Sequence, residues 1–206
     1  SERRGREGYA EVAEEKPEFD WFFSATSAYF PYLFCVRLSD PDPLENFMSF
    51  RPTLDFLLYD WLDAESLNQR ERFADHSRET FDAVLDTCER IAREKYAPFN
   101  RTVDTQEPHF DGEKVVLPQA THDAHKAFVE SGMMSAAQDY DIGGMQLPYT
   151  LQAAANSFFA MASVSIGSNM LTSGNANLLM VHGTEMQKDV FARNEFSGRW
   201  AGTMCL

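Results

Sequence analysis

The 206 residues, 44% of them hydrophobic and with 17 Phe, can fill one or at most two sizeable cores. A formal net charge of −14 and an isoelectric point of about 4.7 repel a phosphate backbone, and no segregated basic patch offsets them. This composition excludes nucleic acid as a partner of the segment and reads as the solvated acidic surface of a cytoplasmic protein.

The first 47 residues run from charged to aromatic to Ser39-Asp40-Pro41-Asp42-Pro43 without a sustained helical period. Residues 1–47 are therefore read as an extension, either not native to the fold, with Met48 as the start of the native chain, or authentic and partly ordered with its aromatics docked on the domain. Their most apolar run, Trp21 to Val36, is short, interrupted by Pro31 and preceded by acidic residues, so neither a membrane anchor nor a secretion signal is expected. Residues 48–197 read as a helical domain, and 198–206 as the start of a second, β-rich one.

Within the helical stretch, Phe81, Val84, Leu85, Cys88, Ile91 and Ala92 recur at three- and four-residue spacing and line one side of a helix. Glu79 and Asp82 at its start and Arg90, Arg93 and Lys95 at its end complement the helix dipole, and Pro98 is expected to stop it. Residues 100–116, polar with scattered Pro and Gly, read as a connection. Pro118 opens a further helix that runs to about Ser131, with apolar contacts from Leu117, Thr121, Ala124 and Phe128 and a left-handed stop at Gly132. The Gly143-Gly144 pair marks a loop with backbone angles or close approaches that other residues resist.

Leu151, Ala154, Ala155, Phe158, Phe159 and Ala162 mark the next core helix, and Ser165 to His182 a further one. The latter contains Gly167, Ser168, Ser173 and Gly174, which weaken a helix but let either a neighbouring helix or a ligand chain come close. Gly183 closes it. Thr184 and Gln187 then stand at capping-box spacing, so a short helix follows, with Phe191 at helical distance from Met186 and Gln187. After a break at Asn194–Arg199, Trp200 to Leu206 reads as a strand entering a core.

Chemistry-bearing constellations are sparse. The acids fall at helix starts or on polar faces, and no paired carboxylate is assigned an acid–base role. His122 and His125 share a helix face but lack a further ligand at zinc spacing, so no metal site is expected, and His182 reads as a helix-end partner. Cys35, Cys88 and Cys205 are odd in number and widely spaced, which suits free thiols in a reducing compartment. No G-x-S-x-G, Walker loop or G-x-G-x-x-G is present.

Gly183 with Gln187-Lys188, followed by a strand that ends Thr203-Met204-Cys205-Leu206, resembles the acyl-CoA dehydrogenase family, in which a flavin-binding turn comes next. Tyr140-Asp141-Ile142-Gly143-Gly144-Met145-Gln146-Leu147 resembles the family's Y-G-G-x-G-L loop, with Gln146 where the family usually has Gly. Arg51 to Leu62 and the long polar connection around Asp104 to Val116 look like the branch that includes 3-(methylthio)propanoyl-CoA dehydrogenases. A related branch includes an alkylation-response protein that binds DNA through a carboxy-terminal region, a role the net charge opposes for this segment.

The resemblance implies a mostly α fold, the up-and-down helical amino-terminal domain of an acyl-CoA dehydrogenase, ending in the first strand of the middle β-domain. It implies FAD and an acyl-CoA thioester bound between domains, with electron-transfer flavoprotein as acceptor and a homo-oligomer at full length. The family's catalytic Glu lies in its last domain, so no catalytic residue is expected here and residues 1–206 alone are expected to be inactive. Met204 and Leu206 match the strand positions that contact the flavin, Met204 in place of a more usual aromatic. Ile166, Gly167, Met170 and Gly174 match the helix that helps form the fatty-acyl cavity. A different class, a non-catalytic helical protein-interaction module, is the alternative reading.

Overall fold

A computed structural model describes residues 50–166 and 169–203, all within the unit Asp42–Leu206. The structure is mostly helical. Helix α1 (Phe50–Asp55) widens into a π-helical turn, Phe56–Trp61, and is tied down by Arg51, whose guanidinium meets Asp55, Asp82 and Asp86. Burial opposes that charge, but the hydrogen bonds to Asp55 and Asp86 outweigh it and raise its pKa. Two 3-10 segments, Ala64–Gln69 and Glu71–Phe73, lead to helix α2 (Arg78–Ile91).

Helix α2 starts where the chain leaves extended geometry at Ser77 (φ −141°, ψ 172°). Ser77 Oγ accepts from the Thr80 amide at 3.3 Å while Thr80 Oγ1 accepts from the Ser77 amide at 2.8 Å, so two amides without helical partners are satisfied. Its three- and four-residue apolar spacing buries Phe81, Leu85 and Cys88, and the stripe continues through Ala92 and Tyr96 in a π-helical turn, Ala92–Tyr96. Val84 and Ile91 sit half-buried at the edge of this face.

The α-helix and its π-helical turn end before Pro98, as expected, but the chain stays helical in a tighter form. Pro98 lies in the first turn of a 3-10 segment, Ala97–Phe99, where its missing N–H would have no helical acceptor, and helix α3 (Asn100–Thr105) follows. The connection expected over 100–116 is thus partly ordered: after α3 come strands β1 (His109–Phe110) and β2 (Val115–Val116), paired antiparallel with His109 opposite Val116. Asp111 Oδ1 accepts from the amides of Glu113 and Lys114, both at 2.9 Å, and Gly112 takes φ +105° to close the turn.

Helix α4 (Gln119–Glu130) follows Pro118, buries Ala124 and Phe128, and ends at Gly132 with φ +80°, the left-handed stop expected there. Helix α5 (Tyr149–Ala162) buries Leu151, Ala154, Ala155, Phe158, Phe159 and Ala162 and packs chiefly against α2. The ring of Phe159 lies 5.0 Å from those of Tyr96 and Phe128, and Phe158 meets Phe50 edge-on at 5.9 Å, so aromatic contacts join α1, α4, α5 and the end of the α2 stripe.

Helix α6 (Met170–His182) begins five residues later than the sequence reading placed it. Ser163 is extended (φ −168°, ψ 108°), and its Oγ accepts from the Ile166 amide at 3.3 Å, which holds the chain out of helical geometry. Helix α7 (Glu185–Gln187) carries the anticipated capping box: Gln187 Oε1 accepts from the Thr184 amide at 2.9 Å and Thr184 Oγ1 accepts from the Gln187 amide at 3.3 Å. A π-helical turn, Lys188–Ala192, and helix α8 (Arg193–Phe196) fold back on α6, burying Ala176, Ala192 and Phe196 together. Among the described residues no helix is long and apolar enough to cross a membrane.

Candidate functional site

Between α5 and α6 lies a cavity of about 380 Å³. Tyr96, Phe128 and Phe159 contribute apolar surface from the core. Tyr149, Gln152 and Asn156, at three- and four-residue spacing on one face of α5, line one wall. Asn169, Ser173 and Asn177, each four residues apart along α6, line the other, with Met170 and Gly174 beside them.

The two walls differ in how their polar atoms are used. Ser173 Oγ donates to the Met134 carbonyl at 3.3 Å, and Asn177 Oδ1 accepts from Gln138 Nε2. Asn169 Oδ1 lies 3.1 Å from His125 Nδ1, whose Nε2 lies 3.3 Å from the Gly198 carbonyl. His125 is therefore occupied with this hydrogen-bonding chain, while His122 is exposed on another part of α4. Burial pushes the Tyr96 phenol well above its usual range, so it faces the cavity as a neutral hydroxyl.

Of the residues expected to line an acyl cavity, Met170 and Gly174 do line this one. Ile166 does not: it is 6% exposed and packs into the main core, because the backbone at 163–166 turns before α6 instead of running through it. Gly167 lies outside the described residues. The sequence reading missed Tyr149, Gln152 and Asn156. Their signal was a polar i, i+3, i+7 stripe within an apolar helix.

Beyond α6, the segment 200–203 reaches toward Met204 and Leu206, which both lie outside the described residues. Its described part forms no strand ladder, and it is held by a helix instead: Gly202 N donates to Thr172 Oγ1 at 3.2 Å, and Thr172 Oγ1 lies 3.3 Å from the Gly202 carbonyl. Glu195, 5% exposed, is buried beneath Gly202. Its Oε1 accepts from Asn175 Nδ2 at 2.7 Å, while Oε2 has no partner among the described residues. Burial raises its pKa, and the Asn175 hydrogen bond opposes that shift. A side chain at position 202 would begin 2.8 Å from both Asn175 Nδ2 and Glu195 Oε1, so glycine lets the segment lie this close without displacing that pair.

The Tyr140–Leu147 loop is pinned from the opposite side of the chain. His76 Nε2 lies 3.0 Å from the Met145 carbonyl and 3.2 Å from that of Gln146, and Gln146 Nε2 donates to the Arg72 carbonyl at 2.9 Å. Gly143 takes φ +84°, and a Cβ on Gly144 would fall 2.0 Å from the Gln138 carbonyl oxygen. Gln146, which departs from the family's glycine, has φ +50°, the backbone region glycine favours.

The model of the acyl-CoA dehydrogenase N-terminal domain matches residues 78–199, which include α2 through α8. The chain is 31% identical over 150 residues to 3-methylmercaptopropionyl-CoA dehydrogenase of Ruegeria pomeroyi, covering 72% of this chain and 25% of that protein. It is 26% identical over 167 residues to a butyryl-CoA dehydrogenase of Syntrophomonas wolfei, covering 79% and 27%, and 23% identical over 168 residues to a second, covering 80% and 28%. The chain thus spans about a quarter of the length of these relatives. With the matched residues running through the cavity helices and the glycine loop alike, the chain belongs to the acyl-CoA dehydrogenase family, and its helices α2–α8 are that family's amino-terminal domain.

Proposed function

We propose that the complete protein is an FAD-dependent acyl-CoA dehydrogenase that removes hydrogens from the α and β carbons of an acyl-CoA thioester to give the enoyl-CoA. The observation that carries this reading is the cavity between α5 and α6, lined by Met170 and Gly174 on the helix that the resemblance assigns to the acyl chain. The chemistry FAD supplies when bound is acceptance of a hydride from the β-carbon.

This chain's own residues bind, position and exclude water. Met170, Phe128 and Phe159 offer apolar surface to the acyl chain, and Gly174 leaves room for it. Thr172 holds Gly202 by hydrogen bonds above the Asn175–Glu195 pair, so Met204 and Leu206, the proposed flavin contacts, follow directly from a fixed anchor. A buried, partly partnered carboxyl beneath a glycine fits an anchoring role next to a cofactor site. No residue here is proposed to take the α-proton, so residues 1–206 alone are proposed to be inactive.

The proposed acceptor is electron-transfer flavoprotein, the proposed assembly a homo-oligomer, and the proposed location the cytoplasm. Burial pushes the free thiol of Cys88 up to about 12 and keeps it unreactive. The visible absorbance of the purified complete protein tests the reading: bound flavin bleached by an acyl-CoA is expected, with none retained by residues 1–206. A complete protein without flavin would sink it, and the helical interaction module would then lead.

A further inference from the structure

The cavity between α5 and α6 has two polar walls, and only one is used by the protein itself. On α6, Ser173 and Asn177 spend their side chains on Met134 and Gln138, and Asn169 on His125. At the end of α5, Ser163 Oγ takes the Ile166 amide. Gln152 and Asn156, with the exposed hydroxyl of Tyr149, are the exception. Gln152 and Asn156 are both half-buried, both line the cavity, and neither side-chain amide has a hydrogen-bond partner among the described residues.

A half-buried primary amide carries two donors and an acceptor that must be satisfied by something that enters the cavity, water or ligand. Four residues apart on one helix face, the two amides are near neighbours and can address the same group or adjacent atoms. Among the described residues, the remaining lining contains no Asp, Glu, Lys, Arg or His. A charged group would enter without a counter-charge, which is costly, whereas an uncharged oxygen would be met by ready donors and acceptors.

Resting on the acyl-CoA reading above, we propose that Gln152 and Asn156 are specificity-determining residues, and that the acyl group this cavity takes carries an uncharged hydroxyl on a short chain. The apolar surface of Phe128, Phe159 and Met170 receives the methylenes while the α5 amides receive the oxygen. A plain alkyl chain of equal length fills the same space but displaces water from both amides and returns nothing to them.

The test uses the complete protein and matched thioesters, 4-hydroxybutyryl-CoA against pentanoyl-CoA and 5-hydroxypentanoyl-CoA against hexanoyl-CoA, with binding read by calorimetry without electron acceptor. At least one hydroxylated member is expected to bind about 10-fold tighter than its alkyl partner, the ratio that one retained hydrogen bond of about 1.4 kcal/mol gives. In the Gln152→Leu, Asn156→Leu double variant, with wild-type helicity by circular dichroism, that ratio falls to about 1 or inverts. Alkyl thioesters that match or beat both hydroxylated partners on the wild-type protein overturn the proposal without touching the acyl-CoA reading, and so does a double variant that keeps the preference. Failure of all four thioesters to bind overturns this proposal, and the acyl-CoA reading falls with it only where the complete protein also lacks bound flavin.

Discussion

At the scale of single residues, the glycines of the 143–144 pair have opposite reasons to be glycine. Gly144 is required by crowding, since its Cβ would sit 2.0 Å from a backbone carbonyl oxygen that cannot swing aside. Gly143 is required only by its φ of +84°, since a Cβ there meets nothing within 4 Å. Gly144→Ala is therefore expected to cost about 3 kcal/mol and Gly143→Ala about 1 kcal/mol, read from urea-unfolding midpoints; equal costs would refute the distinction. Gln146 occupies a left-handed position without being glycine and offsets that with its bond to the Arg72 carbonyl.

Glu195 gives the residue-scale pH dependence. Its folded pKa is raised, so the folded state holds the proton more tightly than the unfolded chain does. The stability tied to this group is complete below the ordinary glutamate pKa and is lost as pH rises through the folded value. Glu195→Gln keeps the shape and the acceptor for Asn175 without the ionisation. The variant should unfold at a higher temperature than wild type at pH 7 and at the same temperature below about pH 4. A gap that persists unchanged at low pH would show that ionisation is not the cause.

At the scale of elements, local hydrogen-bonding chemistry decides where helices begin. The Thr184–Gln187 box was legible because its spacing is a four-residue pattern complete in itself. The equivalent box on α2 uses Ser77 with Thr80, and a Thr at the third position is a weaker sequence signal than Glu or Gln. Ser77→Ala is expected to cost about 1 kcal/mol, measured by chemical denaturation, since the Thr80 amide at the start of α2 loses the Ser77 Oγ that accepts from it. The start of α6 was misplaced because Ser163 competes for the Ile166 amide, which no apolar period reports. The strands at His109 and Val115 escaped notice for a related reason: two residues each are too short for alternation to show.

At the scale of the whole molecule, the described residues leave apolar surface uncovered along α6 and the helices after it. Leu178 is 54% exposed, Val181 71% and Met186 62%. Such surface favours association. Residues 1–206 by themselves are expected to self-associate as concentration rises in sedimentation velocity, and Leu178→Glu with Val181→Glu to restore a monomer. A clean wild-type monomer at high concentration would count against that expectation.

By itself, the sequence determined the features set within about one helical turn: the buried stripe of α2, the stop at Gly132, the cap at Thr184 and the family motifs carried by Tyr140–Leu147 and Gly183–Lys188. Period and capping are properties of neighbours in the chain, so neighbours suffice to read them. Only the tertiary structure decided that Ile166 belongs to the core, that Glu195 is buried beneath Gly202, and that the Gln152 and Asn156 side chains have no hydrogen-bond partner among the described residues while Ser173, Asn177 and Asn169 across the cavity each have one. Those outcomes depend on partners such as Gln138 for Asn177 and His125 for Asn169, 39 and 44 residues away. Hydrogen bonds across such separations follow from how helices pack, and spacing along the chain carries no trace of them.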